Sequence, residues 1–570
     1  MLVYGDRQRW VAPGDRLAEL AALLGAEAAG GERHDALVRA LIEAGELAQG
    51  LADVEFAAAG CDDHTPLQAA ALGLLTALAR KVQASWRSGF AREGPQAGRE
   101  LAALAELAPA EPVLCKTPEG YAYYAVYPQA FMAAAAELAA ELAGEPPLVI
   151  GLRSIGVSLA AAVAVACGAR GVVSLRPHGP PFQRRVTVSQ RLRARLAAHP
   201  GPFAVVDEGP GLSGSSFGAV GDLLEALELS SERVVFMPSH GGDLGPVAQA
   251  RHRTRWSRAR RLVKTLDDIA PPEAIGRWFE DLTGPVECVE DLSDGRWRKD
   301  LPIGAWPPVW GASERRKFRL TTASGVFLAR FAGLGRGGDE KFTRAKALHA
   351  AGFVAEPMAL RYGFLLERWL EGRPLASPPG GRAALLGRLG DYLRFRRLSF
   401  PAEAVGASRE ALHEMAGVNA EALGGAQLRA AVEARLAGQG QLAARLNPVH
   451  VDGRLHRWEW REGLDGRLFK TDALDHSCAH DLVGPQDIGW DLAGAAVEFE
   501  LDAGEARALE IAVLGAPDAE RTDLFYGLYC TFQAGLWTLA SGAETERDRA
   551  SRRLGRYVDG LRRWVDVGSG

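Results

Sequence analysis

Four short apolar runs between Leu148 and Met237 constrain the fold more than any other feature. They are Leu148-Val-Ile150, Val172 to Leu175, Phe203-Ala-Val-Val206 and Val234-Val-Phe-Met237. Helical stretches separate them: Val157 to Cys167, Leu192 to Ala198 and Phe217 to Leu229. Strands this short and apolar are buried on both faces, and strands alternating with helices form a parallel sheet covered on both sides. Such sheets bind ligands at the carboxyl ends of their strands, so the loops after Ile150 and Val206 are where chemistry is expected.

The flanking regions have other rhythms. Residues 1–108 read as a helical region, with Leu17, Leu20 and Leu24, then Leu37, Leu41 and Ala44, at helical spacing. Cys61-Asp-Asp-His64 reads as a solvated loop between helices rather than a metal site. Tyr121-Ala-Tyr-Tyr-Ala-Val-Tyr127 is aromatic and β-prone. Residues 246–305 are a charged connector, in which Arg251 to Arg261 is balanced by Asp267, Asp268 and later acids. Beyond the Pro/Trp segment Leu301 to Trp310, a hairpin (Phe318 to Thr321, Val326 to Phe331) and a strand at Phe364 to Leu366 begin another unit. From about 380 onward the chain is helical apart from an irregular polar stretch, His450 to Asp491.

Composition narrows the function classes. The 570 residues carry 66 basic and 71 acidic side chains, a net charge of −5, with 47% hydrophobic residues. That excludes a disordered chain and disfavours a general nucleic-acid binder. Ser154 to Ala169, bounded by Arg153 and Arg170, is too short to span a bilayer, so no membrane partner is expected. Six scattered cysteines without a CxxC exclude zinc-ribbon spacing and a disulfide framework, and with no secretory h-region at the N-terminus a cytoplasmic protein is expected. Only eight of the 66 basic residues are lysine, so a site that needs one has few candidates.

The segment Val205-Val-Asp-Glu-Gly-Pro-Gly-Leu-Ser-Gly-Ser-Ser216 runs from an apolar strand through two carboxylates into a small-residue loop and a helix. Backbone N–H groups of such a loop, backed by a helix N-terminus, can cradle a phosphate. The segment resembles the 5-phosphoribosyl-1-diphosphate (PRPP) motif of type I phosphoribosyltransferases. Ile150-Gly-Leu-Arg-Ser-Ile-Gly-Val157 resembles their pyrophosphate loop, and Arg176 to Gln190 stands where they have a mobile catalytic loop. The resemblance implies Asp207 and Glu208 as catalytic acids. It implies PRPP binding by Arg153, Ser154, Gly156, Arg184, Arg185, Leu212, Ser213, Gly214, Ser215 and Ser216. Lys116-Thr-Pro-Glu-Gly120 and the following tyrosines would be a base-binding hood or a plain core hairpin. Five residues, Gly209 to Ser213, separate the acidic pair from Gly214, one more than the family's common spacing.

A second cluster comprises His450-Val-Asp-Gly-Arg-Leu-His456, Lys470-Thr-Asp-Ala-Leu-Asp-His476 and Asp487-Ile-Gly-Trp-Asp-Leu-Ala493. It resembles aminoglycoside phosphotransferase-like kinases. That resemblance implies Asp452 as the catalytic aspartate, Asp472 and Asp475 as Mg²⁺ ligands and Asp491 as a brace for the catalytic loop. It implies Arg330, Glu367 and Trp369 on the ATP side, with Phe364 to Pro374 as the hinge. Arg457 stands where the family has a metal-binding asparagine, and Arg330 where it has a lysine. His480 and Asp481, with His476, would form an unusual metal site.

The expected fold class is therefore multidomain α/β and α+β: a Rossmann-like parallel sheet of the phosphoribosyltransferase kind, then a two-lobed kinase-like fold, after an N-terminal helical region. The expected boundaries are 1–108, 109–245, 246–305, 306–372 and 373–565. The expected function is a bifunctional transferase that uses PRPP to make or break an N-ribosyl bond to a base-like molecule and phosphorylates a related nucleoside or sugar from ATP, with Mg²⁺ as cofactor. The alternative is a nucleotide- and PRPP-sensing regulator with one or both sites inactive. Small-molecule substrates are the expected partners, and a homodimer is compatible with the sequence.

Overall fold

The structure is a computed structural model. It describes the chain except residues 3–6, 143, 181, 212, 246–247, 302, 376–380, 438–444, 475, 477–482 and 568–570. Leu212, Asp475, His480 and Asp481 therefore lie outside the described residues.

The apolar runs form a parallel sheet. Its strands are β1 (Leu148–Leu152), β2 (Gly171–Leu175), β3 (Phe203–Val206), β4 (Val234–Met237) and a short β5 (Arg260–Arg261), in the order β2-β1-β3-β4-β5. Alternate residues enter two separate cores, as a pleated strand requires. Val149, Ala204, Val206 and Val235 join the core that holds the N-terminal helices, while Ile150, Phe203, Val205 and Phe236 face Leu192, Leu196, Phe217 and Trp256 on the other side. The helices at Gly30–Ala59 and Pro66–Arg87 pack on the helix Gly156–Cys167. That helix is apolar all round, which a helix enclosed between a sheet and an outer helical layer can afford. Residues 1–108 are thus an outer layer of this α/β unit, continuous with its core.

The charged segment 246–305 does not behave as a linker. Its first part supplies the helix Ala250–Arg258 and edge strand β5, with Trp256 buried against Phe217 and Phe236. Its later strand β6 (Val286–Asp291) is the edge of a second, antiparallel sheet with β7 (Lys317–Thr322), β8 (Gly325–Phe331), β9 (Pro357–Arg361) and β10 (Phe364–Arg368), in the order β9-β10-β8-β7-β6. Charge patterning alone hid this, because each half is short and relies on a neighbouring strand for its pairing.

The Tyr121–Tyr127 segment also departs from expectation. Glu119–Tyr123 is a short helix, with Tyr121, Tyr123 and Tyr127 buried. Among the described residues it pairs with no strand. Its tyrosines pack at the junction with the second sheet: Leu334 N–H donates to Tyr121 O at 2.9 Å, and Lys341 Nζ lies 5.3 Å from the Tyr123 ring centroid. The remainder of the chain is a helical lobe around Tyr392, Trp460, Trp490 and Tyr529, with a small three-stranded sheet that contains Trp460–Gly463 and Leu468–Lys470. A small sheet-rich lobe and a large helical lobe meet across a cleft. No described helix is long and apolar enough to cross a membrane.

Candidate functional site

Two constellations stand at the places such folds use. The first lies at the carboxyl edge of the parallel sheet. Asp207 and Glu208 follow β3, and the loop ends at Gly214, whose left-handed φ of 55° opens the helix Ser215–Glu225. Ser213 Oγ contacts Ser215 Oγ at 2.9 Å and accepts from Ser215 N–H at 3.2 Å, so the serines order the loop before any ligand arrives. Arg184 donates to Ser216 Oγ at 2.8 Å, which brings the 176–190 segment over this loop. Arg185 lies behind it, with its backbone paired to His178.

Two glycines allow the close approaches here. A Cβ on Gly156 would stand 2.5 Å from Val206 O, and one on Gly120 would stand 2.9 Å from Glu208 Oε2. Gly120 N–H instead donates to Glu208 Oε2 at 2.9 Å, so the segment expected as a hood touches the acidic pair through its backbone. Neither Asp207 nor Glu208 makes an ion pair among the described residues. Burial raises Asp207 to about 7, and burial with the Asp207 charge beside it raises Glu208 to about 8. The charges of Arg184 and Arg176 offset only part of the rise at Asp207. Oxygen-only donors of this kind suit Mg²⁺ or ribose hydroxyls.

Arg153 is differently engaged from what the sequence suggested. Its guanidinium is fully buried between Asp53, at 3.0 Å, and Asp62, and it donates to Ser174 Oγ at 2.9 Å. Asp62 is itself fully buried and accepts from Arg176 N–H at 2.6 Å. The 61–64 segment is therefore no solvated loop: Asp62 neutralises Arg153 and fixes the strand ends from the outer helical layer. The Arg153 backbone N–H is committed as well, donating to Leu175 O at 2.9 Å.

The second constellation lies between the lobes. Asp491, at the start of the helix Gly489–Glu498, accepts from the N–H of Asp452 at 2.7 Å and of Gly453 at 2.9 Å, and so pins the 450–453 loop. Burial beside Asp452 raises Asp491 to about 6. Arg396, fully buried, ties this loop to the next by donating to His450 O at 2.8 Å and to Ala473 O. Arg330 on β8 donates to Glu367 on β10 at 2.7 Å and to Asp472 Oδ1 at 3.3 Å. Trp369 lines the cleft with Arg319 over its ring. Arg457 is exposed at a short 3₁₀ turn, outside the cleft lining.

Asp452 is buried and does not line the cleft. Tyr392 O–H donates to its Oδ2, and Lys470 Nζ and His476 Nδ1 lie 3.4 and 3.5 Å from its Oδ1. Burial opposes its charge, but Lys470, His476 and Arg396 together hold it well below the usual carboxylate range.

Sequence reasoning missed Lys470 and Glu459. Lys470 is fully buried. It donates to Glu459 Oε2 at 2.7 Å and to Asp472 O. His476 Nε2 lies 3.3 Å from Asp472 Oδ2 and 3.7 Å from Glu459 Oε1. Although burial opposes its protonation, Asp472, Glu459 and Asp452 raise it to about 9. The available signal was Lys470 itself, one of eight lysines, two residues before an expected metal ligand.

Asp452, Glu459 and His476 bring candidate ligand atoms within 4.8 Å of one another. Mg²⁺ nonetheless does not fit this set. It wants carboxylate, phosphate and water oxygens in an octahedron, whereas Lys470, His476 and Arg330 already neutralise Asp452, Glu459 and Asp472.

No family model matches the chain, and no curated protein is similar to it in sequence. Solved structures that resemble it include a choline kinase of Streptococcus pneumoniae, with 17% identity over 50% of this chain and 97% of that one and a TM-score of 0.34. An ethanolamine kinase of Plasmodium vivax shows 12% identity over 52% and 89%, with a TM-score of 0.35. A spectinomycin phosphotransferase solved with ADP and spectinomycin shows 11% identity over 50% and 93%, with a TM-score of 0.33.

Proposed function

We propose that the protein is a two-site transferase: the parallel-sheet edge takes PRPP, and the interlobe cleft takes ATP and passes its terminal phosphoryl group to a small hydroxylated molecule. The observation that carries the first half is the unpaired Asp207–Glu208 dyad immediately before the Ser213–Ser216 loop and its helix N-terminus. Backbone N–H groups of Gly214 and Ser216 would receive the 5-phosphate, and Asp207 and Glu208 the ribose hydroxyls. The C1–O bond to pyrophosphate breaks as a bond from an acceptor nitrogen to C1 forms, and the acceptor gives up a proton. Positive charge develops on the ribose ring, which fixed carboxylates below it stabilise. Arg184, held over the loop by Ser216, is positioned to cover the departing pyrophosphate. Asp207 and Glu208 would also hold Mg²⁺ carried on the diphosphate, where it supplies charge to the leaving group.

Support for the second half is the Asp452 loop pinned by Asp491 opposite Arg330, Lys470 and Asp472. Incubating the chain with PRPP, Mg²⁺ and pooled bases should release pyrophosphate; neither release nor PRPP binding would contradict the first half. ATP turnover lost in Asp452→Ala is the expected result for the second. A second reading, in which the cleft senses ATP without turning it over, is favoured by the burial of Asp452 behind Tyr392 and Lys470. ATP binding without turnover would select it.

A further inference from the structure

The cleft is richer in cations than a metal-dependent phosphate site needs. About 270 Å³ of open space is lined by Arg315, Arg330, Arg368, Arg454, Arg461 and Lys470 among others, so basic groups outnumber acids. Two features single out one part of it. First, Lys470 bridges the acidic groups as a bound cation would: its ammonium reaches Glu459 at 2.7 Å, Asp452 at 3.4 Å and the carbonyl of Asp472. Second, two donors that line the same cleft have no acceptor among the described residues. Nε and Nη2 of Arg454 are buried without a hydrogen-bond partner, and so is Nε1 of Trp537, whose side chain is almost wholly buried. Both residues line the cleft. Buried donors without acceptors are costly, and an arginine fork with two open nitrogens matches a phosphate edge.

We propose that Arg454, backed by Lys470, is a metal-independent phosphate seat: the lysine ammonium occupies the place of a divalent ion among the carboxylates, and Arg454 with Trp537 receives the anion. The ligand class is a nucleoside polyphosphate bound without Mg²⁺. This rests on the reading of the cleft as the ATP site. Lysine supplies a compact charge where a metal would sit, and arginine the planar two-point contact. The Asp452 carboxylate is held by Lys470 and Tyr392, and the Arg454 backbone N–H donates to its Oδ1 at 3.2 Å. The loop that carries the fork is thereby fixed to the lysine that replaces the metal.

Calorimetric titration of ATP into the full chain, with excess EDTA or with Mg²⁺, tests it. The expected affinities agree within about twofold, and Arg454→Ala weakens ATP about tenfold or more in EDTA. Circular dichroism confirms that the variant is folded. Lys470→Met, if folded, should bind ATP weakly in EDTA and regain affinity with Mg²⁺. ATP bound tenfold more weakly in EDTA by the unaltered chain would overturn the inference and leave the ATP reading intact. Unchanged binding by Arg454→Ala would overturn the assigned seat. No ATP binding in either buffer would overturn both readings.

Discussion

At the parallel-sheet edge, Asp207 and Glu208 stand side by side with no cation paired to either among the described residues, and both are raised toward neutral pH. In the interlobe cleft, Asp452, Glu459 and Asp472 share Lys470, His476 and Arg330, and Asp452 and Asp472 are pulled down instead. Both sites gather carboxylates behind a loop at the start of a helix. What separates them is the origin of the counter-charge. Carboxylates left unpaired in a partly buried site cost stability until a ligand or ion arrives, which is the mark of a binding site. Carboxylates already matched by the chain's own cations stabilise the fold, and they leave the anion-binding role to arginines around them. Acids at strand ends thus have opposite meanings according to what faces them.

Several experiments would break or sharpen this contrast. The largest effect is expected from Asp491→Ala. It leaves the buried N–H groups of Asp452 and Gly453 without acceptors, and should destabilise the helical lobe by roughly 2–4 kcal/mol, read as a loss of urea resistance in that lobe. Next is Gly156→Ala, whose methyl group would meet the Val206 carbonyl. Shifting that backbone costs roughly 1–3 kcal/mol and should weaken PRPP binding while ATP binding stays unchanged; loss of both would deny that the sites are separable.

The Asp207–Glu208 pair and the Asp452–Asp472 pair should also carry opposite pH slopes. Asp207 and Glu208 hold protons in the folded chain that the unfolded chain has lost, between about pH 4 and their folded values of about 7 and 8. Their contribution to stability therefore falls as pH rises through that window. Asp452 and Asp472, depressed in the fold, contribute stability above about pH 4 that is lost on acidification. The variant Asp207→Asn/Glu208→Gln should gain roughly 1–2 kcal/mol at pH 8, after allowance for partial exposure, and little at pH 4. Equal gain at both pH values would contradict the raised acids. The smallest effect is expected from Arg373→Ala, which removes an arginine largely exposed in its pair with Glu462; solvent screens such a pair, so urea resistance should barely change. A larger loss would show that exposed arginines, abundant in this chain, carry the fold.

Much of the first unit's fold was legible in the residues. Short apolar runs set the parallel sheet, and the acidic pair and serine-glycine loop fall at the carboxyl end of its third strand, as their order in the sequence implied. The role of Arg153 was not legible, because its partners Asp53 and Asp62 lie about a hundred residues earlier, in a helix and in the segment after it, whose docking face the spacing could not orient. The connector was misread because β5 and β6 are strands only by virtue of the sheets they join. In the cleft, Asp452, Asp472 and Asp491 could be located by their spacing. Their state could not, since it depends on Lys470 and Glu459, which lie in the irregular polar stretch, and on Tyr392, an ordinary helix position.

The contrast between an edge that needs an outside counter-charge and a cleft that carries its own is tested most directly by titrating PRPP into the full chain, with and without Mg²⁺, and into Asp207→Asn/Glu208→Gln. The account predicts binding that requires Mg²⁺ and falls at least about a hundredfold in the variant, as loss of preorganised charge at such a site does. PRPP binding of equal strength in EDTA, or in the variant, would contradict it.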